Sequence, residues 1–232
     1  MSGPAILAPV ILAIDATSEF GSLAIRAGGR LIAERQLHSP EGFGHLLFGE
    51  LEQLLEHASV NLPSIDCFAA AAGPGSFTGV RVGLTAAKGL AEVQHKPVAA
   101  VSNLRALATF GSASKRVVLI DAWRGEVYAA VYGEDLGLLQ EETVDKLPVW
   151  LRRLPDEPYE FITLAGSPFR VALEGTPFAA MPWTEASRSL AGAVGLCAEI
   201  DLASGGTVDA LIADANYVRR SDAELLWKEP RL

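Results

Sequence analysis

Cysteine is nearly absent: Cys67 and Cys197 are the two in 232 residues, and they form no C-x-x-C pair. That spacing argues against a disulfide scaffold and against a thiolate zinc site, and both sit in apolar runs as small buried hydrophobes do. Histidine is equally scarce. His38, His45, His57 and His95 give no H-E-x-x-H and no pair at i, i+4, so no metal site is expected. Positive charge is short too, with 19 Lys and Arg against 28 Asp and Glu and a net charge of −9. RNA binding draws on Lys and Arg neutralising phosphates, so this chain is a poor RNA binder by itself. The pairs Lys115-Arg116, Arg152-Arg153 and Arg219-Arg220 read as solvated surface. No apolar run approaches the roughly 18 residues of a membrane span, and Met1 to Val10 carries no basic n-region. The expectation is a cytosolic protein off the membrane.

What is present is apolar sequence with strand and helix periods. Half of the chain is hydrophobic and 20% is charged, enough for a filled core. Val10 to Ile14 is a continuous apolar run ending at Asp15, as a buried strand would be. Gly21 to Ala27 alternates, Gly28-Gly29 turns the chain, and Arg30 to Gln36 returns. A helix is predicted from Phe43 or Gly44 to Ala58, a strand over Asp66 to Ala72, a helix over Gly79 to Val93, a strand over Pro97 to Val101 and a helix over Asn103 to Phe110. The second half starts the same way. Val117 to Ile120 ends at Asp121, Val127 to Tyr132 alternates, Gly133-Glu134-Asp135 turns and Leu136 to Thr143 returns. Helices near Asp145 to Leu154 and Pro168 to Glu174, a strand over Glu160 to Ala165 and a helix over Ser187 to Ala203 complete it. Ile14-Asp15-Ala16 and Ile120-Asp121-Ala122 open the two halves, and a βββαβαβα order used twice implies a duplicated α/β architecture with a cleft between two lobes. The boundary falls near Gly111 to Ser114, giving lobes over 1–110 and 111–232, the last segment packing back on the first lobe.

The chemistry-bearing candidate is the loop Gly73-Pro74-Gly75-Ser76-Phe77-Thr78-Gly79, between a strand and a helix. Free backbone N–H groups at a helix start can hold an anion. Yet no Lys-Ser/Thr follows Gly79 as in a Walker A loop, and the glycines give G-x-G-x-x-x-G, one residue too long for the dinucleotide fingerprint. The alternative is a packing turn, with Ser76 or Thr78 capping the helix. Ser76 directly follows Gly75, the wrong spacing for a G-x-S-x-G nucleophile elbow. Asp15-Ala16-Thr17 and Asp121-Ala122-Trp123 stand where sugar-kinase and actin-type sites keep Asp-x-Gly, and Trp123 would crowd a phosphate. Asp15, Thr17, Gly73, Gly75, Ser76 and Thr78 are therefore the candidates for a vestigial nucleotide or anion site. The helices on either side of that loop carry more apolar surface than one stripe uses. Either they are deeply buried, or Leu46, Leu47, Glu50, Leu51 and Leu54 with Val80, Gly83, Leu84, Ala87 and Leu90 face another subunit.

The stretches Ile11 to Ser18, His38-Ser39, Gly73 to Leu84 with Ala87 to Ala91, Val101 to Leu104, Ile120 to Tyr128 and Tyr217-Val218-Arg219 closely resemble the TsaB (YeaZ) family, in order along most of the chain. The approach to the first helix, Pro40 to His45, is more glycine-rich than that pattern. The resemblance implies an actin-like/sugar-kinase-like (ASKHA) fold and a role in forming N6-threonylcarbamoyladenosine at position 37 of tRNA. It implies a non-catalytic subunit that pairs with the metal-binding, catalytic TsaD-type paralogue through the first two helices of each protein. The TsaE-type ATPase joins them, tRNA is met through the complex, and a homodimer forms when the partner is absent. No cofactor is held tightly by the chain, ATP or ADP entering at the level of the complex. The competing readings are a stand-alone ASKHA ATPase or kinase and, third, an M22-type glycoprotease-like peptidase.

Overall fold

The computed structural model describes residues 8–219. Met1 to Leu7, read above for a leader, and Arg220 of the last basic pair lie outside the described residues.

The chain opens with β1 (Val10–Asp15), β2 (Phe20–Ala27) and β3 (Arg30–His38), then α1 (Leu47–Ala58), β4 (Cys67–Ala71), α2 (Phe77–Gln94), β5 (Val98–Val101) and α3 (Asn103–Ala108). The second half runs β6 (Lys115–Asp121), β7 (Glu126–Gly133), β8 (Leu138–Lys146), α4 (Leu147–Leu151), β9 (Glu160–Leu164), α5 (Phe169–Ala172), β10 (Trp183–Ala186) and α6 (Ala191–Ser204). Each half forms a five-stranded sheet, β3-β2-β1-β4-β5 and β8-β7-β6-β9-β10, so strand order as well as element order repeats. In each, an antiparallel meander supplies three strands and parallel crossovers the other two.

Apolar strands with both faces covered give a layered stack. The middle layer is α3 with α6, and its core joins Ile11, Ala69 and Leu104 of the first half to Val118, Ile162 and Val194 of the second. α3 belongs to the first half yet packs on β6, β7 and β9, while α6 belongs to the second and packs on β1, β2, β4 and β5. Each half's last helix thus covers the other half's sheet. The ion pairs Arg26–Glu199 at 3.0 Å and Arg105–Asp201 at 2.7 Å fasten α6 to β2 and to α3.

The outer layers differ. On the first sheet lie α1 and α2, 12 and 18 residues long; on the second lie α4 and α5, 5 and 4 residues long, around fully buried Trp150. Of the two, the first lobe alone presents a pair of long helices to the outside.

Several boundaries differ from the sequence reading for local reasons. α1 begins at Leu47 and not at Phe43 or Gly44, because residues 39–46 are spent in a turn where Ser39 Oγ donates to the carbonyl of Gly42, which has φ 86°. Phe43 is buried against Gly21, in space that a side chain there would fill. α2 starts earlier, at Phe77, since Ser76 is its N-cap and accepts the Gly79 N–H at 3.3 Å. α6 starts later, at Ala191, after a turn in which Ser187 Oγ accepts the Ser189 N–H. β10, a four-residue edge strand beside Pro182, carries too little pattern to be read from sequence.

Candidate functional site

The glycine loop crosses from β4 to α2 directly above the β1–β2 turn. Gly73 has φ 102°, a conformation that favours glycine. Its N–H donates to Asn103 Oδ1 at 3.1 Å and its carbonyl accepts the Asn103 N–H at 2.8 Å. The Ser76 N–H is spent on the Thr17 carbonyl at 2.7 Å. A Cβ on Gly79 would stand 2.0 Å from the Ala16 carbonyl oxygen, and one on Gly75 2.7 Å from that of Thr17. The glycines therefore seat α2 on the β1–β2 turn. Gly83 continues this contact, facing Ala16 and Ile14. Of the two readings of this helix, burial or a face for another subunit, Gly83 takes the first: it faces the chain's own sheet.

Asp15 lies beneath this contact, 2% exposed. Its Oδ1 accepts the Thr17 N–H at 3.0 Å and the Thr17 hydroxyl at 2.7 Å. Asn103 Nδ2 donates to Thr17 Oγ1 at 2.6 Å, so Asp15, Thr17, Asn103 and Gly73 form one hydrogen-bonded chain. Burial pushes the Asp15 carboxyl above its ordinary value of 3.8 against the opposing pull of the Thr17 bonds and the Leu190 backbone N–H. An acid raised in the fold costs stability only where the unfolded chain is ionised first. The cost is absent below pH 3.8, sets in as the pH rises through the window above it, and is then constant. Asp15→Asn, whose amide oxygen keeps the acceptor, is thus expected to match or exceed the wild type in urea midpoint at pH 7, the difference shrinking as the pH falls towards 4. A variant much weaker at pH 7 but equal at pH 4 would show that the charge itself is stabilising.

At the equivalent turn of the second lobe, Trp123, Arg124 and Gly125 have φ of 62°, 57° and 78°. Trp123 is 76% exposed, and its N–H donates to Asp121 Oδ1 at 2.8 Å. The side chain stands largely in solvent. Among the described residues, no three His, Cys, Asp or Glu side chains gather as a metal site, and no helix is long and apolar enough to cross a membrane.

A groove of about 660 Å³ lies between α1 and α2. Of the residues expected to face a partner, Leu47, Leu51, Leu54, Leu84 and Ala87 are between 0% and 6% exposed and belong to the first lobe's core, and Val80 is buried at 4%. Their apolar excess is explained by burial under and between the two helices, which corrects them as free contact residues. Leu46 is half-buried, and Glu50 is turned to the ion pair with Arg35 of β3. Leu90 alone of that set is both accessible and at the groove, which is completed by Gly44, Phe48, Phe77, Arg81, Val82 and Thr85. Phe48 and Phe77 are 58% and 46% exposed at its mouth. The Arg81 guanidinium lies 3.7 Å over the Phe77 ring, and its Nε donates to Tyr217 Oη at 3.3 Å. Thr78, expected at an anion site, lines this groove. Sequence reasoning missed Phe48 and Phe77, although Phe48 is an aromatic one residue off the Leu47-Leu51-Leu54 stripe and so falls on the polar side of its helix.

Comparison with known proteins adds an independent line. Residues 44–204 match the family model described as TsaD, tRNA N6-adenosine threonylcarbamoyltransferase. The tRNA threonylcarbamoyladenosine biosynthesis protein TsaB of Bacillus subtilis (strain 168) is 33% identical over 159 residues, 66% of this chain and 69% of that protein. Its Escherichia coli (strain K12) namesake is 36% identical over 129 residues, and there the match spans 54% of this chain and 55% of the relative. In three dimensions the chain resembles YeaZ from Pseudomonas aeruginosa with a TM-score of 0.71 at 26% identity, over 90% of this chain and 99% of that one.

Proposed function

The chain belongs to the TsaB (YeaZ) family of tRNA threonylcarbamoyladenosine biosynthesis proteins, with the duplicated ASKHA-like fold, and from that premise we propose that it is a non-catalytic partner subunit. It docks a TsaD-type paralogue through the α1–α2 groove, positions that paralogue for threonylcarbamoyl transfer to tRNA, and is joined by a TsaE-type ATPase. Contact with tRNA comes through the assembly. Without the paralogue, two copies pair by the same face about a two-fold axis.

One observation carries this reading. The longest outer helices of the fold meet at an apolar groove whose mouth holds two large exposed aromatic rings, Phe48 and Phe77. Exposed aromatics beside a preformed concavity are the anchors that protein interfaces use. The stand-alone ATPase reading is disfavoured by the Asp15 cluster. Its carboxyl is enclosed and bonded to Thr17, and the loop amides of Gly73 and Ser76 are bonded within the chain. We accordingly assign no tightly held nucleotide to this chain; ATP or ADP acts in the assembled complex.

The test is reconstitution of tRNA modification from a TsaD-type and a TsaE-type protein, with threonylcarbamoyl-adenylate supplied. Omitting this chain is expected to lower product at least tenfold, and restoring Asp15→Asn to rescue it as well as wild type. Full modification without this chain would contradict the proposal.

A further inference from the structure

Beyond α6 the chain returns along the first lobe and then meets the second again at Asn216 and Arg219. Val208 bridges Val98 at the edge of β5, and Ala210 and Ala213 are buried in the first lobe's core. Lys88 of α2 donates to the Ala213 carbonyl at 2.8 Å, and Tyr217 meets Arg81 and Phe77 one α2 end further on. At Asn216 the segment touches both lobes. Its N–H donates to the carbonyl of Ala72, next to the glycine loop, at 2.8 Å, and its Nδ2 donates to Glu142 Oε2 of β8 at 2.5 Å. Glu142 also accepts the hydroxyls of Ser102 and Tyr132, and Arg219 then pairs with Glu126 of β7 over the Tyr128 ring. The Asn216 carbonyl oxygen stands 3.1 Å from where a Cβ on Gly73 would be, so the segment fills the space beside the loop.

We propose that residues 208–219 are a latch between the two lobes: Asn216, bonded to Ala72 on one side and Glu142 on the other, ties β8 of the second lobe to the glycine loop of the first and holds that loop in place. The hydrogen-bonded path from Glu142 through Asn216 and the Ala72–Gly73 backbone to Asn103, Thr17 and Asp15 is continuous. Loosening it on the second lobe therefore loosens the loop on the first. The latch stands whether or not the α1–α2 groove takes a partner.

The experiment is amide hydrogen exchange on the full chain. Asn216→Ala removes the bond to Glu142 while keeping the backbone bond to Ala72. Exchange at the amides of Gly73, Ser76 and residue 216 is expected to rise roughly tenfold, as the loss of one hydrogen bond to a charged group would give, with β9 and α5 unchanged. Glu142→Gln, which keeps the side chain's shape, is expected to move the same amides in the same direction. Unchanged exchange at Gly73 and Ser76, a rise confined to β8, or a uniform rise that includes β9 would each overturn the latch.

Discussion

Phe48→Glu is expected to weaken pairing with a TsaD-type paralogue by about 30- to 1,000-fold, the equivalent of roughly 2–4 kcal/mol. The side chain is 58% exposed in the monomer, so the charge costs the isolated fold little. In a closed interface the same carboxylate would be stripped of water against the apolar groove walls, with no cation supplied by Leu47, Val82 or Leu90. Arg81 is the basic residue at the groove, and it already lies over Phe77 and bonds Tyr217. Titration calorimetry measures the loss. Light scattering of the isolated chain at high concentration gives a second readout, in which the wild type dimerises and Phe48→Glu stays monomeric. Wild-type affinity in the variant would remove the groove from the interface.

Gly79→Ala is expected to have the largest effect on the fold itself. Its Cβ would sit 2.0 Å from the Ala16 carbonyl oxygen, a backbone atom that has no rotamer to escape through. Overpacking by a single methyl costs about 1–3 kcal/mol where side chains can yield. Here α2 must lift from the β1–β2 turn, which strains the Asp15–Thr17–Asn103 bonds as well, so a loss of about 3 kcal/mol or more is expected. For a chain of this length that lowers Tm by roughly 6–12 °C, readable by calorimetry. Gly89→Ala on the same helix meets nothing within 4 Å and is the matched control, expected to be neutral or slightly stabilising. Equal melting temperatures for the two variants would contradict the seating role of the loop.

These two residues mark what the sequence could and could not convey. The repeat was legible because each half carries its own strand-to-Asp opening, at Asp15 and Asp121, and because strands with both faces covered read as unbroken apolar runs. Residue types and spacing narrowed the cap to Ser76 or Thr78 and the loop to a packing turn or an anion site, and the close approach of Gly79 to Ala16 distinguishes the loop readings. Which face of α2 is free was not legible. Val80, Leu84 and Ala87 look the same in a helix buried on one side as in a helix awaiting a partner, and only the position of the sheet distinguishes them. The free face is instead marked by Phe48 and Phe77, which stand off the main apolar stripe and so contribute little to a periodicity. The exchange of α3 and α6 between lobes was likewise hidden, since helical period says which side is buried and not against which sheet. β10 fell below detection at four residues, and Asn216 offers no local pattern, because its two partners, Ala72 and Glu142, are far away in the chain.

The central claim is that the outer pair of helices is a docking face. Hydrogen exchange of this chain with and without a saturating TsaD-type paralogue tests it most directly. Strong protection of residues 44–48 and 77–90 on binding, with little change over α4 and α5, is the predicted result. Protection concentrated on the Trp123–Gly125 turn or on the outer face of the second lobe, with α1 and α2 unchanged, would contradict it.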